Sequence, residues 1–192
     1  TPLVKGWTTE MSMESTSLGV QVHGGMGFIE ETGAAQHMRD ARILPIYEGT
    51  NGVQALDLMG RKTARNNGEL LDILLGEMDE FSASQQGVEA MQPSLAAFDG
   101  CRQCLLDATA VVIAQAADNP DEIGAASYPY MELMGLTLYC FMWQRMLAAA
   151  FLDRASMSGD LDYADSLIKT GRFFMERLLP RADSLVAEIA SG

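Results

Sequence analysis

Residues Gln21 to Gly60 read QVHGGMGFIEETGAAQHMRDARILPIYEGTNGVQALDLMG, and only here do the residue types look selected for chemistry instead of packing. Three glycines crowd into HGGMG as Gly24, Gly25 and Gly27, and one carboxylate, Glu48, stands between an aromatic and a glycine in Ile46-Tyr47-Glu48-Gly49-Thr50. With no Cβ, Gly24 and Gly25 permit positive φ and let another chemical group reach the bare peptide. Two readings follow. Either a cofactor phosphate lies against open backbone, or a helix C-cap and turn end the helical pattern that precedes the glycines. The G-x-G-x-x-G of a dinucleotide-binding βα turn is a poor fit, because no alternating or β-branched run comes before the cluster.

Glu48 follows Leu44-Pro45-Ile46-Tyr47, where Pro45 stops any helix arriving from Arg39–Arg42 and an apolar run leads the chain inward. A carboxylate flanked by Ile46, Tyr47 and Gly49 would lie against an apolar wall beside open backbone. Desolvation there would raise its pKa towards neutrality, as a general base acting on a weakly acidic C–H requires. The other reading is an exposed acid at the start of the helix opened by Thr50 or Asn51, favoured by the helix dipole.

The pieces QVHGGMGF and MRDARILPIYEGT, with the interval between them, resemble the C-terminal signature of the acyl-CoA dehydrogenases, flavoenzymes that introduce an α,β double bond into acyl-CoA thioesters. The match spans about 40 residues. The resemblance implies that Glu48 removes the substrate α-proton while the β-hydrogen leaves as hydride to flavin N5, and that Gly49 touches the substrate. It implies that Gln21, Val22, His23, Gly24 and Gly25 reach the FAD of a partner subunit, and that Thr50, Asn51 and Gly52 supply further FAD contacts. Many relatives carry glutamine where this chain has Gly52, so only a backbone contact is expected there. Family members also have an N-terminal helical domain and a middle β-domain. The chain opens at Thr1-Pro2, so it is expected to be part of a larger enzyme, binding little FAD and turning over nothing by itself.

The continuation TNGVQALDLMGRK is similar to an enlarged bacterial branch with an extra C-terminal helical domain, acting on 3-methylmercaptopropionyl-CoA or fatty acyl-CoA. That likeness implies a homodimer with FAD, an acyl-CoA substrate, and electron-transfer flavoprotein as electron acceptor. Two other classes remain open: a relative that kept the fold but lost dehydrogenation, and a helical module that only builds a dimer or contacts the acceptor.

Composition points to a helical body. A chain of 192 residues can bury a real core; 48% of it is hydrophobic, with 13 Met and few β-branched runs. The formal charge is −13, unevenly spread. Residues 1–62 hold five basic and seven acidic groups, while residues 63–192 hold eight and nineteen. Such a surface argues against nucleic acid, which calls for clustered Lys and Arg, and against anionic membranes. Three cysteines fit a reducing compartment, and a cytoplasmic location is expected. Cys101 and Cys104 form a C-x-x-C without a second pair, so buried or half-buried thiols are expected and no metal site.

Taken in order, Trp7 to Val22 reads as a helix ended by Gly24 and Gly25, with His23 either capping its last carbonyls or meeting a cofactor phosphate. Glu30 and Glu31 lead a helix to Arg42. Another runs from Asn51 to about Ala64 with Val53, Leu56 and Met59 or Gly60 inward. Arg65-Asn66-Asn67-Gly68 is a polar break, taken as the boundary between a region 1–64 and a helical bundle 69–192. The bundle helices are Leu70–Ser84, Pro93 to about Ala117, Met131–Leu152, and Asp160–Ala190 split at Pro180. A membrane span needs roughly 20 charge-free residues, whereas Glu132 and Arg145 bracket the apolar run Leu133–Trp143, which therefore reads as a buried bundle helix. The expected fold is all-α, the C-terminal helices of a dehydrogenase domain followed by an antiparallel four-helix bundle.

Overall fold

The computed structural model describes residues 1–191, and every regular element among them is helical. A wide π-type turn at Leu3–Trp7 runs straight into α1, Thr8–Val22. The short α2, Gly25–Phe28, and a tight turn at Glu30–Thr32 lead to α3, Ala34–Ala41. A loop then delivers the chain to α4, Asn51–Leu56, which continues as a π-type segment Asp57–Thr63. The bundle follows: α5 Glu69–Ser84, α6 Gln92–Asp118, α7 Glu122–Ser156, α8 Leu161–Phe173 with a π-type continuation Phe174–Leu178, and α9 Arg181–Ala190. Among the described residues no helix is long and apolar enough to cross a membrane.

Local chemistry explains the breaks. Asn67 and Gly68 both take left-handed backbone, φ 47° and 86°, which stops the α4 continuation and starts α5. Pro93 sits in the first turn of α6, where its missing N–H has no partner to lose. Asp160 caps α8 by accepting from the Tyr163 amide at 3.0 Å. Pro180 parts α8 and its continuation from α9.

Helix α7 is the axis. It packs against α6, α8, α9, α4 and both the Leu3–Trp7 and Asp57–Thr63 segments. One buried cluster joins Leu71, Leu75 and Met78 of α5, Phe98, Leu105 and Val112 of α6, Tyr130, Met131 and Leu133 of α7, and Leu185 and Ile189 of α9. Trp7, Ala55, Leu58 and Met59 belong to that same cluster, so the N-terminal region and the bundle share one core. Fully burying a side chain of this size stabilises by about 1.5–3 kcal/mol. Two glycines make the close approach possible: a Cβ on Gly135 would run into the Trp7 indole, and one on Gly6 into the Met131 thioether. The aromatics of α7 line the seams, with Tyr139 edge-on to Trp7 at 5.7 Å, Phe141 edge-on to Phe81 at 5.6 Å, and Trp143 stacked on Phe174 at 6.1 Å.

Three expectations need correction. The helix through Glu30, Glu31 and Arg42 is broken at Gly33, whose φ of 78° no right-handed helix accommodates. Helix α7 begins at Glu122, not Met131, and runs through the buried Pro129. The carbonyl that Pro129 cannot bond belongs to Ala125, which is exposed and can turn to water. In α4 and its continuation the inward face is Asn51, Ala55, Leu58, Met59 and Thr63, while Val53 and Leu56 are exposed. Asn51, Ala55, Leu58 and Met59 follow one another at ordinary helical spacing, so the face begins with Asn51, which takes an inward place that a hydrophobicity pattern assigns to an apolar residue.

Candidate active site

The loop between α3 and α4 is folded by its own backbone. The Ile46 and Tyr47 amides both donate to the Ile43 carbonyl, at 3.0 and 3.2 Å, and the Asn51 amide donates to the Pro45 carbonyl at 3.1 Å, which closes the loop at its base. Inside this closure Glu48 and Gly49 both adopt left-handed backbone, φ 55° and 83°. For Gly49 that conformation is free of Cβ strain. For Glu48 it costs about 1–2 kcal/mol, and such strain persists only where the surroundings over-determine it. Thr50 caps α4, its Oγ1 accepting from the Val53 amide at 3.3 Å.

Glu48 is exposed, and so are Ile46 and Tyr47 beside it. The apolar wall expected around the carboxylate is therefore not supplied by its sequence neighbours.

Asn51 is placed differently. It is buried, and its Nδ2 donates to Glu10 Oε1 at 2.7 Å and to Thr9 Oγ1 at 2.9 Å, while its Oδ1 accepts from Lys5 Nζ at 3.0 Å. Its side chain is thus engaged within the chain, as is its backbone N–H, which donates to the Pro45 carbonyl. No pattern in the sequence marks Lys5, Thr9 and Glu10 as partners, because they stand some 40 residues away.

Among the other candidate residues, α1 ends at His23, whose Nδ1 donates to the Gly19 carbonyl at 2.8 Å. A carbonyl only accepts, so this bond fixes the proton on Nδ1 and leaves Nε2 outward. Gly24 follows with φ 62°, and a Cβ on either Gly24 or Gly25 would meet nothing within 4 Å. Gln21 and Val22 are exposed, as are Thr50 and Gly52. A groove of about 350 Å³ between α1 and α3 is lined by Thr16, His23, Thr32 and His37 among others. Arg39 pairs with Glu30 at 3.3 Å on the surface.

The C-x-x-C pair lies on the buried side of α6. Cys101 Sγ stands 3.3 Å from Thr137 Oγ1, and burial pushes its thiol up to about 11 against the lowering effect of that hydrogen bond. Cys104 stands 3.7 Å from Asp183. Among the described residues no cluster of three His, Cys, Asp or Glu could hold a metal.

Residues 1–62 match the family described as acyl-CoA dehydrogenase, C-terminal domain, and residues 74–192 match the one described as acetyl-CoA dehydrogenase C-terminal like. The chain belongs to the acyl-CoA dehydrogenase family. The two matched regions flank residues 63–73, which contain the polar stretch Arg65–Gly68. Relatives within the acyl-CoA dehydrogenases include the 3-methylmercaptopropionyl-CoA dehydrogenase of Ruegeria pomeroyi, 40% identical over 187 residues, 93% of this chain and 30% of that enzyme. The broad-specificity linear acyl-CoA dehydrogenase FadE5 of Mycobacterium tuberculosis is 27% identical over 93% of this chain and 31% of its own length. A butyryl-CoA dehydrogenase of Syntrophomonas wolfei is 29% identical over 93% and 30%. The chain thus spans about 30% of the length of these relatives.

Proposed function

We propose that this chain is the part of an FAD-dependent acyl-CoA dehydrogenase that carries the α-proton base, Glu48. The observation that carries the reading is the backbone of the YEGT loop: a carboxylate held at φ 55°, next to a glycine at φ 83°, presented outward by a loop closed at its base. Glu48 would take the α-proton of an acyl-CoA thioester. The bare Gly49 peptide would lie along the substrate, with no Cβ between them. Ile46 and Tyr47, exposed in this chain, would shed water once other parts of a longer enzyme cover them. That covering would desolvate Glu48 and strengthen it as a base. The relatives' names include 3-methylmercaptopropionyl-CoA, butyryl-CoA and linear acyl-CoA, which supports an acyl-CoA thioester as the substrate class.

The residues present suit FAD. Gly24 and Gly25 offer open backbone that a phosphate can approach, Gln21, Val22 and His23 are exposed beside them, and Thr50 and Gly52, on either side of the buried Asn51, form a second exposed set at the start of α4. FAD, when bound, supplies the acceptor for the β-hydrogen as hydride. In a homodimer the Gln21–Gly25 segment would serve the cofactor of the partner subunit, and electrons would leave through electron-transfer flavoprotein. Three free thiols suit a reducing cytoplasm.

The test is Glu48→Gln in the full-length, flavin-loaded enzyme, assayed with acyl-CoAs of graded length and a dye acceptor. Turnover is expected to fall by at least about 10²–10⁴ with flavin retained. Turnover that survives assigns the base to another residue.

A further inference from the structure

We propose that Asn51 is a positioning residue whose buried amide fixes the Glu48 loop to the segment Lys5–Glu10, so that the bundle sets where the carboxylate stands. The inference rests on the reading of Glu48 as the base. Asn51 is only 3% exposed, and it grips two bodies at once. Its backbone N–H closes the loop on Pro45 at 3.1 Å, while its side chain reaches Glu10 at 2.7 Å, Lys5 at 3.0 Å and Thr9 at 2.9 Å. The orientation of the amide is decided by chemistry: the carboxylate can only accept and the ammonium can only donate, so nitrogen must face Glu10 and oxygen Lys5. Both bonds are charge-assisted, hence stronger than neutral ones.

The segment held by Asn51 cannot slide. Trp7 is packed against Gly135 and Gly6 against Met131, both on α7, and the Tyr128 hydroxyl of α7 stands beside Glu10, whose carboxylate, second to burial, pushes that phenol up. Rigidity therefore runs from α7 through Lys5–Glu10 into Asn51, and from there into the base of the loop. That loop contains Glu48 in strained left-handed backbone, a conformation that needs fixed ends to persist. A cap on α4 alone calls for no such arrangement, since Thr50 already provides it.

The test uses the full-length flavin-loaded enzyme with three variants: Asn51→Asp, Asn51→Asp combined with Glu10→Gln, and Glu48→Gln. Asn51→Asp sets two carboxylates face to face. The double variant restores one donor and one acceptor with their directions exchanged. Amide hydrogen exchange at Ile46, Tyr47 and Asn51 reads the loop without reference to activity. Asn51→Asp is expected to accelerate that exchange and to lower kcat, each by about ten-fold or more, since a 1 Å misplacement can cost about 10²-fold. Flavin content and the exchange of α6 amides should hold. The double variant is expected to recover both to within about three-fold of the parent. Unchanged loop exchange in Asn51→Asp, or no recovery in the double variant, overturns the proposal. If Glu48→Gln turns over normally, the assignment of the base fails, while the exchange data still decide whether Asn51 holds the loop.

Discussion

Between Gln21 and Leu56 the chain leaves Val22, Phe28, Ile43, Ile46, Val53 and Leu56 open to solvent, whereas between Glu69 and Ala190 side chains of the same kind are mostly buried or half-buried. The two regions differ in helix length before they differ in anything else. Helices of four, eight and six residues in the first cannot lay a continuous apolar stripe against one another, while α6 and α7, of 27 and 35 residues, can. Groups of exposed apolar side chains mark surfaces that other bodies cover. In the proposed enzyme those bodies are the substrate, the cofactor and the other parts of a longer chain. In that proposal the chemistry sits on the uncovered loops, and the hydrogen bonds of Asn51 to Lys5, Thr9 and Glu10 join them to the helical core.

Trp7 tests that junction most severely, because it is counted with the N-terminal region by sequence and with the bundle by packing. Trp7→Ala should lower unfolding stability by about 3–5 kcal/mol in urea melts. Trp7→Phe should cost much less, since the indole N–H is buried without a partner. A cost below about 1 kcal/mol for Trp7→Ala would separate Lys5–Glu10 from the core and break the comparison.

A smaller effect is expected at Glu132, where α7 meets α1 and α9. Burial raises its carboxyl above the ordinary value of 4.5, Arg181 draws it down, and Glu188, Glu10 and Glu14 raise it further. A carboxyl raised in the folded state contributes stability below its unfolded value, and that contribution is lost as pH rises through the folded one. Glu132→Gln should therefore raise Tm at pH 7, by about 1–3 °C given partial solvent screening, and the gain should vanish near pH 4. An equal gain at both pH values would show that charge is not its source.

The smallest effect sharpens the contrast from the other side. Phe28→Ser should leave the stability of these 192 residues within about 0.5 kcal/mol, although it removes a large apolar side chain. A loss above about 2 kcal/mol in a denaturant melt would place Phe28 in a core, and the exposed region would then need a different description.

Much of the site was legible as chemistry before it was legible as geometry. The glycines at 24 and 25 announced a helix end with open backbone, and both features are present. The bundle helices ended where Gln85, Asn119 and Pro180 said they should. Around Glu48 the flanking Ile46 and Tyr47 suggest an apolar wall, whereas in the structure all three are exposed. No local pattern reveals the hydrogen bonds of the Asn51 side chain, because Lys5, Thr9 and Glu10 are remote in the chain.

The amino-acid sequence by itself determined the helical elements and their breaks, for these depend on neighbours within a turn or two: apolar spacing, prolines without an N–H, glycines and asparagines free to take positive φ. Tertiary structure alone decided which apolar faces were buried and which stayed open. It also fixed the anchoring of Asn51 and the outward set of Glu48. The anchoring of Asn51 depends on contacts between residues 40 or more positions apart, as from Asn51 to Glu10, and no local pattern encodes a partner at that distance.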